Sequence, residues 1–308
     1  MSLSIIIVNY NSTKFIVRLL KTIREFLNDI EYEIIIVDNN SSERDIEKLV
    51  KENTDIKFLF LKKNYGFGYA NNRGMEIAKY NYYFLLNPDT YFVDGSIKLM
   101  IDAVQNNPQW GIIGPMVKYA DGGIQESALH FPNVRYEIYT LFGILGNIIK
   151  FTKRLRRKLF NDKEYETDFV FGSCMLIRKE LNDIILGFDE DYFLFTEETD
   201  YCYRTRNFTN FKIIYFPKST IYHEAGAITG KKPLKRFLQG YNSKLIFIVK
   251  HYKGLYSFLM RYTIILLFIK KLLYGYLSKN VNYSEMKEYY LSIIKDYRNK
   301  TPQLNDVK

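Results

Sequence analysis

Acidic residues are nearly missing from the last quarter of the chain. Residues 231–308 hold 16 Lys and Arg against only Glu285, Glu288, Asp296 and Asp306, a local net charge of +12. The 308-residue chain has 44 basic and 34 acidic residues in all, so residues 1–230 carry 28 and 30, a net of −2. The whole positive excess is therefore C-terminal, which points to an anionic partner surface, membrane or nucleic acid. Cysteine is scarce as well. Cys174 and Cys202 cannot build a disulfide framework; both have apolar or aromatic neighbours and read as buried reduced thiols, which fits a cytosolic protein. Long apolar runs are absent too: within Leu255–Leu277 the longest uncharged stretch is Tyr262–Ile269, far short of the ~20 residues that span a bilayer. The opening MSLSIIIVNYN has no basic segment ahead of its apolar residues, so no signal peptide is expected. Neither standard phosphate loop is present. Gly66, Gly68 and Gly74 do not fit G-x-G-x-x-G, and there is no Walker lysine pattern.

What is present is an alternation. Leu3–Val8, Glu33–Val37, Lys57–Leu61 and Tyr82–Leu86 are short, continuous apolar runs, the pattern of strands buried on both faces of a parallel sheet. Helical patterns fall between them at Lys14–Leu27, Glu43–Lys51 and Tyr69–Lys79, as βαβ units require. The fold class expected is α/β: a mostly parallel, Rossmann-like sheet flanked by helices. Residues 1–230 read as one domain, with a nucleotide-binding half (1–110) and a less regular half (111–230). In the second half, strands are expected near Ile112–Tyr119, Asp168–Arg178 and Lys212–Phe216. Residues 231–308 read as a basic, helical C-terminal segment.

Ligands of such sheets lie beyond the carboxyl ends of the strands. Four polar segments follow the strands directly: Asn9-Tyr10-Asn11, Asp38–Ser42, Asn64–Gly68 and Asn87-Pro88-Asp89. A carboxylate at the last of these, Asp89, suits a hard divalent ion bridging diphosphate oxygens, although Asn, Pro and Asp are also the commonest turn formers. Glu197 and Glu198 follow Thr196, which reads as an N-cap; acids in a first helical turn need no chemistry to explain them. One of the two, if ionised and within reach of a hydroxyl, is also a candidate general base. Asp200 and Arg204 are spaced as a helix-surface pair. His223, one of only three histidines, follows a strand; beside an Asp it would suit Mn²⁺ somewhat better than Mg²⁺.

In order along the chain, these pieces resemble the inverting GT-A glycosyltransferases of family two, within them the rhamnosyltransferase-type branch. The matching residues are Val8-Asn9-Tyr10-Asn11, Val37-Asp38-Asn39-Asn40-Ser41, the run from Asn64 to Gly74 with Gly66, Phe67, Gly68, Ala70, Asn71 and Asn72, and Leu86-Asn87-Pro88-Asp89. Phe171–Arg178, Gly187-Phe188-Asp189-Glu190, Glu197-Glu198 with Asp200, Cys202 and Arg204, and His223 complete the set, which covers roughly residues 3–225. The resemblance implies that residues 1–230 are a catalytic domain, with a nucleotide-sugar-binding half (1–110) and an acceptor-binding half (111–230). It also implies that Tyr10 stacks on the nucleobase, Asp38 hydrogen-bonds it, and Asn72 and Arg73 sit near ribose and diphosphate. Asp89 takes the last place of a D-x-D motif whose first Asp is here Asn87; His223 is a second ligand for Mg²⁺ or Mn²⁺. Glu198 matches the catalytic base, one methylene longer than the more usual Asp.

The implied reaction moves a sugar, first choice L-rhamnose from dTDP-rhamnose and second a hexose from a UDP-sugar, to a hydroxyl of a lipid-linked saccharide in cell-envelope polysaccharide synthesis. The partner surface is then an anionic membrane, reached peripherally from the cytoplasm, and not nucleic acid; homo-oligomerisation is left open. Leu255–Leu277 is the first candidate contact, as an interfacial helix. Tyr136–Phe151 with the basic run Lys153–Lys158 is the second. Two competing functions are weighed. A sugar nucleotidyltransferase would open with a Gly-rich loop where Asn9-Tyr10-Asn11 stands. A non-catalytic saccharide-binding module would not need Asp89, Glu198 and His223 together.

Overall fold

A computed structural model describes residues 2–43, 45–142, 163–224 and 233–277. The described residues fall into two units. The first contains residues 2–131 and 163–224. It begins with alternating elements: β1 (Ser2–Asn9), α1 (Thr13–Phe26), β2 (Glu31–Asp38), α2 (Asp45–Glu52), β3 (Lys57–Phe60), α3 (Phe67–Glu76) and β4 (Tyr82–Leu86). These four strands lie in the order β3-β2-β1-β4, all parallel. Ile5, Ile6 and Ile7 of β1 are fully buried because helices cover both faces, so an all-apolar run outcompetes an alternating one here.

Beyond β4 the sheet continues through β11 (Cys174–Arg178), β6 (Trp110–Lys118) and β12 (Lys212–His223) to β5 (Thr90–Tyr91). β11 runs antiparallel to both neighbours, whereas β12 is parallel to β6. Short strands β7 (Ile124–Gln125) and β9 (Tyr165–Glu166) pair with β6 and β12, and β8 (Ala128–Leu129) pairs with β10 (Phe169–Val170) in a separate ribbon. Helices α4 (Ile97–Asn106), α6 (Lys179–Ile185) and α7 (Glu197–Phe208) complete the unit.

Two expected strands differ. The run Asp168–Arg178 is two strands, β10 and β11, because Phe171–Ser173 turn the chain between sheets. The strand expected to stop at Phe216 continues to His223: the register against β6 jumps from Phe216 to Thr220, so Pro217–Ser219 bulge out and pairing resumes beyond them. A bulge lets a proline, which has no N–H, sit inside a long strand.

The second unit comprises described residues 132–142 and 233–277. Helix α5 (Val134–Phe142) thus groups with α8 (Pro233–His251) and α9 (Gly254–Leu277), although it is far from them in sequence. Lys244 pairs with the buried Glu137; the Tyr252 hydroxyl donates to the Pro132 carbonyl at 2.5 Å, and Lys270 Nζ donates to the Leu141 carbonyl at 2.6 Å. The basic run Lys153–Lys158 lies outside the described residues. Among the described residues no helix is long and apolar enough to cross a membrane.

Candidate active site

Strand direction alone assembles one edge of the sheet. The carboxyl ends of β1 to β4 face it, β12 ends there with His223, and the reversed β11 starts there, preceded by Gly172 and Ser173. Asparagines lace the loops of this edge together. Asn9 Nδ2 donates to Asp38 Oδ1 at 2.8 Å, and Asp38 Oδ2 accepts the Ser41 N–H at 3.0 Å. Asn11 accepts from the Ser42 N–H, while Asn39 bridges to Asn64 Oδ1, the Gly66 carbonyl and the Tyr65 N–H. Asn11 and Asn40 hold φ of 53° and 62°, left-handed conformations that asparagine tolerates better than most residues.

Asp89 closes a turn in which the Asn87 carbonyl accepts from the Thr90 N–H at 3.1 Å. The next residues form β5, whose Thr90 sits opposite His223 in the antiparallel ladder, and the Glu224 N–H donates to the Asp89 carbonyl. His223 Nε2 thereby lies 3.2 Å from Asp89 Oδ1. Its other nitrogen, Nδ1, is 2.8 Å from Gln125 Oε1. With that amide oxygen as acceptor, Nδ1 carries the proton and Nε2 presents a lone pair to a carboxylate oxygen. Asp89 is only 3% exposed and its Oδ1 makes no hydrogen bond. Two facing acceptors, one borderline nitrogen and one hard oxygen, fit a divalent cation between them. Among the described residues no group of three or more metal-ligating side chains exists, so protein would supply two ligands and substrate or water the rest.

The second feature of this edge is the pair Glu197 and Glu198 in the first turn of α7. Phe195 and Thr196 just before them have φ of 68° and 70°, a run of two strained non-glycine residues. Thr196 occupies the N-cap position as expected, but its side chain makes no capping bond, because the left-handed backbone turns it away. Glu197 is 3% exposed, and Oε2 of both glutamates is buried without a partner. Burial pushes the Glu198 carboxyl up to about 7, against backbone N–H groups of Glu198, Thr199 and Thr196 that pull it down. Burial and then the adjacent Glu198 push Glu197 well above the usual carboxylate range.

Contacts connect this pair to the rest of the edge. A Cβ at Gly172 would stand 3.7 Å from Glu198 Cβ, and the neighbouring Ser173 carbonyl accepts the Asn87 N–H at 3.0 Å. A Cβ at Gly68 would stand 3.6 Å from Glu197 Cβ, and any side chain at Gly66 would strike the Phe193 carbonyl, which accepts the Phe67 N–H. Four buried side-chain oxygens without hydrogen bonds, on Asp89, Ser173, Glu197 and Glu198, belong to this one edge. Natural proteins leave few such groups, so their concentration makes this edge the candidate ligand site.

Other expected residues are placed as follows. Tyr10 follows β1 and is 43% exposed, open to a stacking partner. Asp38 is buried and bonds the lacing just described. Asn72 is fully used inside the protein: Nδ2 donates to the Phe188 carbonyl and Glu190 Oε1, and Oδ1 accepts the Phe188 N–H. Arg73 pairs with Glu190 and Glu76 and lies over Tyr69, which stacks on Tyr65. Asp200 and Arg204 do pair, at 2.7 Å, but not on a surface: Asp200 is fully buried, and Arg204 also donates to the carbonyls of Ile185 and Gly187. The pair thus ties α7 to the turn after Ile185, and the Tyr192 hydroxyl also donates to Asp200. Gln125 carries no mark in the sequence, and Asn39 and Ser173 carry one only as members of longer matching segments. Only their nearness in space to Asp89 and its neighbouring loops marks them.

A sequence profile of the family described as "Glycosyl transferase family 2" matches residues 4–186. The chain belongs to glycosyl transferase family 2. An N-acetylglucosaminyl-diphospho-decaprenol L-rhamnosyltransferase of Mycobacterium tuberculosis is 25% identical over 233 residues, covering 72% of this chain and 76% of that protein. The low-salt glycan biosynthesis hexosyltransferase Agl10 of Haloferax volcanii is 28% identical over 209 residues, 66% of this chain and 61% of its own. Among solved structures, S. aureus TarS 1-349 in complex with UDP-GlcNAc superposes with a TM-score of 0.61 at 15% identity, covering 98% of this chain and 82% of that one. The mannosyltransferase PcManGT from Pyrobaculum calidifontis, in complex with GDP-Man and Mn²⁺, gives 0.56 at 12% identity, covering 97% and 87%. The fold of this family-two glycosyltransferase is thus GT-A: an α/β domain whose mostly parallel sheet is flanked by helices.

Proposed function

We propose that this transferase is inverting and metal-dependent, with Glu198 as general base and Asp89 and His223 as ligands of Mg²⁺ or Mn²⁺. The reading rests on one observation above others: the unpartnered, buried oxygens of Asp89 and Glu198 belong to the same sheet edge, beside His223, whose Nε2 faces Asp89 Oδ1 at 3.2 Å. When bound, a divalent cation there neutralises charge on the departing nucleoside diphosphate. Glu198 accepts the proton of the acceptor hydroxyl as its oxygen bonds the anomeric carbon from the face opposite the leaving group, so stereochemistry inverts. Tyr10 stacks on the nucleobase and Asp38 hydrogen-bonds it, each from a loop fixed in advance by asparagines. Asn87 lines the diphosphate site, while Asn72 and Arg73 act from behind by holding the Phe188–Glu190 turn.

The donor we favour is dTDP-rhamnose, transferred to a hydroxyl of a lipid-linked saccharide at the cytoplasmic face of the membrane during cell-envelope polysaccharide synthesis. The name of the mycobacterial relative supports the rhamnosyl group and the lipid-diphosphate-linked acceptor. A UDP-hexose donor is the second reading, supported by the UDP-GlcNAc complex of the TarS fold neighbour. A donor-hydrolysis screen with Mg²⁺ and Mn²⁺ separates them: turnover of dTDP-rhamnose above UDP-hexoses is expected. Calorimetry that detects no nucleotide-sugar binding with either metal would refute the transferase site altogether.

A further inference from the structure

Helix α9 has one buried face and one exposed apolar face. Ser257, Met260, Thr263 and Ile264 are buried. On the other side Leu255, Phe258, Leu259, Tyr262, Leu266 and Leu273 are 42–72% exposed. At ~100° per residue these six side chains fall within an arc of about 100°, directly opposite the buried face, and at ~1.5 Å per residue they extend for about 27 Å. An exposed apolar stripe of this length on one helix marks an interaction surface.

The charge around the stripe says what it meets. Residues 233–277 contain eight cations, Lys235, Arg236, Lys244, Lys250, Lys253, Arg261, Lys270 and Lys271, and no Asp or Glu; of these, Lys244 is paired with Glu137 of the same unit. Lys270, at the margin of the stripe, is exposed, as is Lys253 just before the helix. A protein partner would need a complementary acidic rim; a second copy of this chain would bring the same cations and repel. An anionic bilayer supplies both an apolar layer for the side chains and a field of negative headgroups for the lysines. Among the described residues, no helix is long and apolar enough to cross it. We infer that the face of α9 formed by Leu255, Phe258, Leu259, Tyr262, Leu266 and Leu273 lies in the headgroup layer of an anionic membrane, holding the enzyme peripherally. The inference rests on the proposal that the acceptor is lipid-linked only for its purpose; the surface exists whether or not that acceptor is right.

The test is sedimentation of the full chain with vesicles of phosphatidylglycerol and phosphatidylcholine, or of phosphatidylcholine alone, at low and high salt. Partitioning onto the anionic vesicles should exceed that onto neutral ones by about tenfold or more and fall with salt. The triple variant Leu259→Ser, Tyr262→Ser, Leu266→Ser should lose it while nucleotide-sugar binding by calorimetry is retained. Hydrogen exchange on the unmodified chain gives a reading independent of that variant's folding: vesicles should slow exchange within residues 254–273. Equal binding by the triple variant, no sedimentation on anionic vesicles at low salt, or a dimer in solution that the triple variant dissolves would each overturn the assignment. Loss of donor binding with vesicle binding intact would instead overturn the proposed chemistry and leave this surface standing.

Discussion

His223 Nε2 and Asp89 Oδ1 stand 3.2 Å apart because the backbone, not the side chains, brings them there. Thr90 and His223 are paired across the β5–β12 ladder, and the Glu224 N–H bonds the Asp89 carbonyl. Behind the ladder Tyr91 stacks on Tyr222, and Arg18 lies 3.9 Å over the Tyr91 ring while pairing with Glu224 at 2.6 Å. Two potential ligands are thus preset before any cation arrives.

Gln125 fixes which nitrogen of His223 is free. Replacing it by Leu removes the acceptor for Nδ1–H and leaves Asp89 and His223 in place. Mn²⁺ affinity, read from the EPR signal of free Mn²⁺, should weaken by about 10–100-fold. His223→Ala should weaken it at least as much. Unchanged Mn²⁺ binding in both variants would remove the pair from metal binding.

Glu198→Gln should keep donor affinity and lower turnover by a factor on the order of 10² or more. Because burial holds its carboxyl at about 7, the ionised base becomes abundant only as pH rises through that value. Turnover of the unmodified enzyme should therefore climb with pH on this limb. A flat profile from pH 6 to 8 would argue against Glu198 as the base.

Much of this was legible before any coordinates. Short apolar runs separated by helical patterns define β1 to β4, because burial on both faces is a composition signal; β3 departs from it, since as the last strand of the order it leaves Lys57 and Phe60 exposed. Their carboxyl ends then select Asn9–Asn11, Asp38–Ser42, Asn64–Gly68 and Asn87–Asp89 by topology. Less was legible where tertiary context overrides local pattern. Pro217 hides the continuation of β12 to His223, because the bulge that accommodates it has no local signature. Gly172 and Ser173 read as ordinary strand residues, yet they turn the chain between two sheets. Thr196 has the identity of a cap but not its backbone, and the Asp200–Arg204 spacing does not reveal that the pair is buried.

Glu197 makes stability fall as pH rises above the ordinary carboxylate range. Its carboxyl is raised on folding, so the folded protein retains a proton that the unfolded chain releases. Stability contributed by that proton is complete below the ordinary carboxylate range and is lost as pH climbs through the raised value. Glu197→Gln should flatten this dependence and raise Tm at pH 8 by about 2–4 °C in scanning calorimetry. A lower Tm for that variant at pH 8 would show the buried carboxylate to be stabilising instead.

Gly66 has φ of +100° and no room for a side chain beside the Phe193 carbonyl. Gly66→Ala should displace the start of α3 from the Phe193–Thr196 segment and cost about 1–3 kcal/mol in denaturant unfolding. Nucleotide-sugar affinity should fall with it. Wild-type stability in this variant would mean that the two segments are not locked together.

The asparagine lacing among Asn9, Asn11, Asn39 and Asn64 has a thermodynamic corollary. Loops that are already tied to one another surrender their conformational freedom when the polypeptide folds, so a nucleotide arriving later meets a finished rim. Cutting one lace, as in Asn39→Ala, would shift that ordering onto the moment of capture. Its mark would be a more unfavourable entropy of association, with the groups that touch the nucleotide left unaltered.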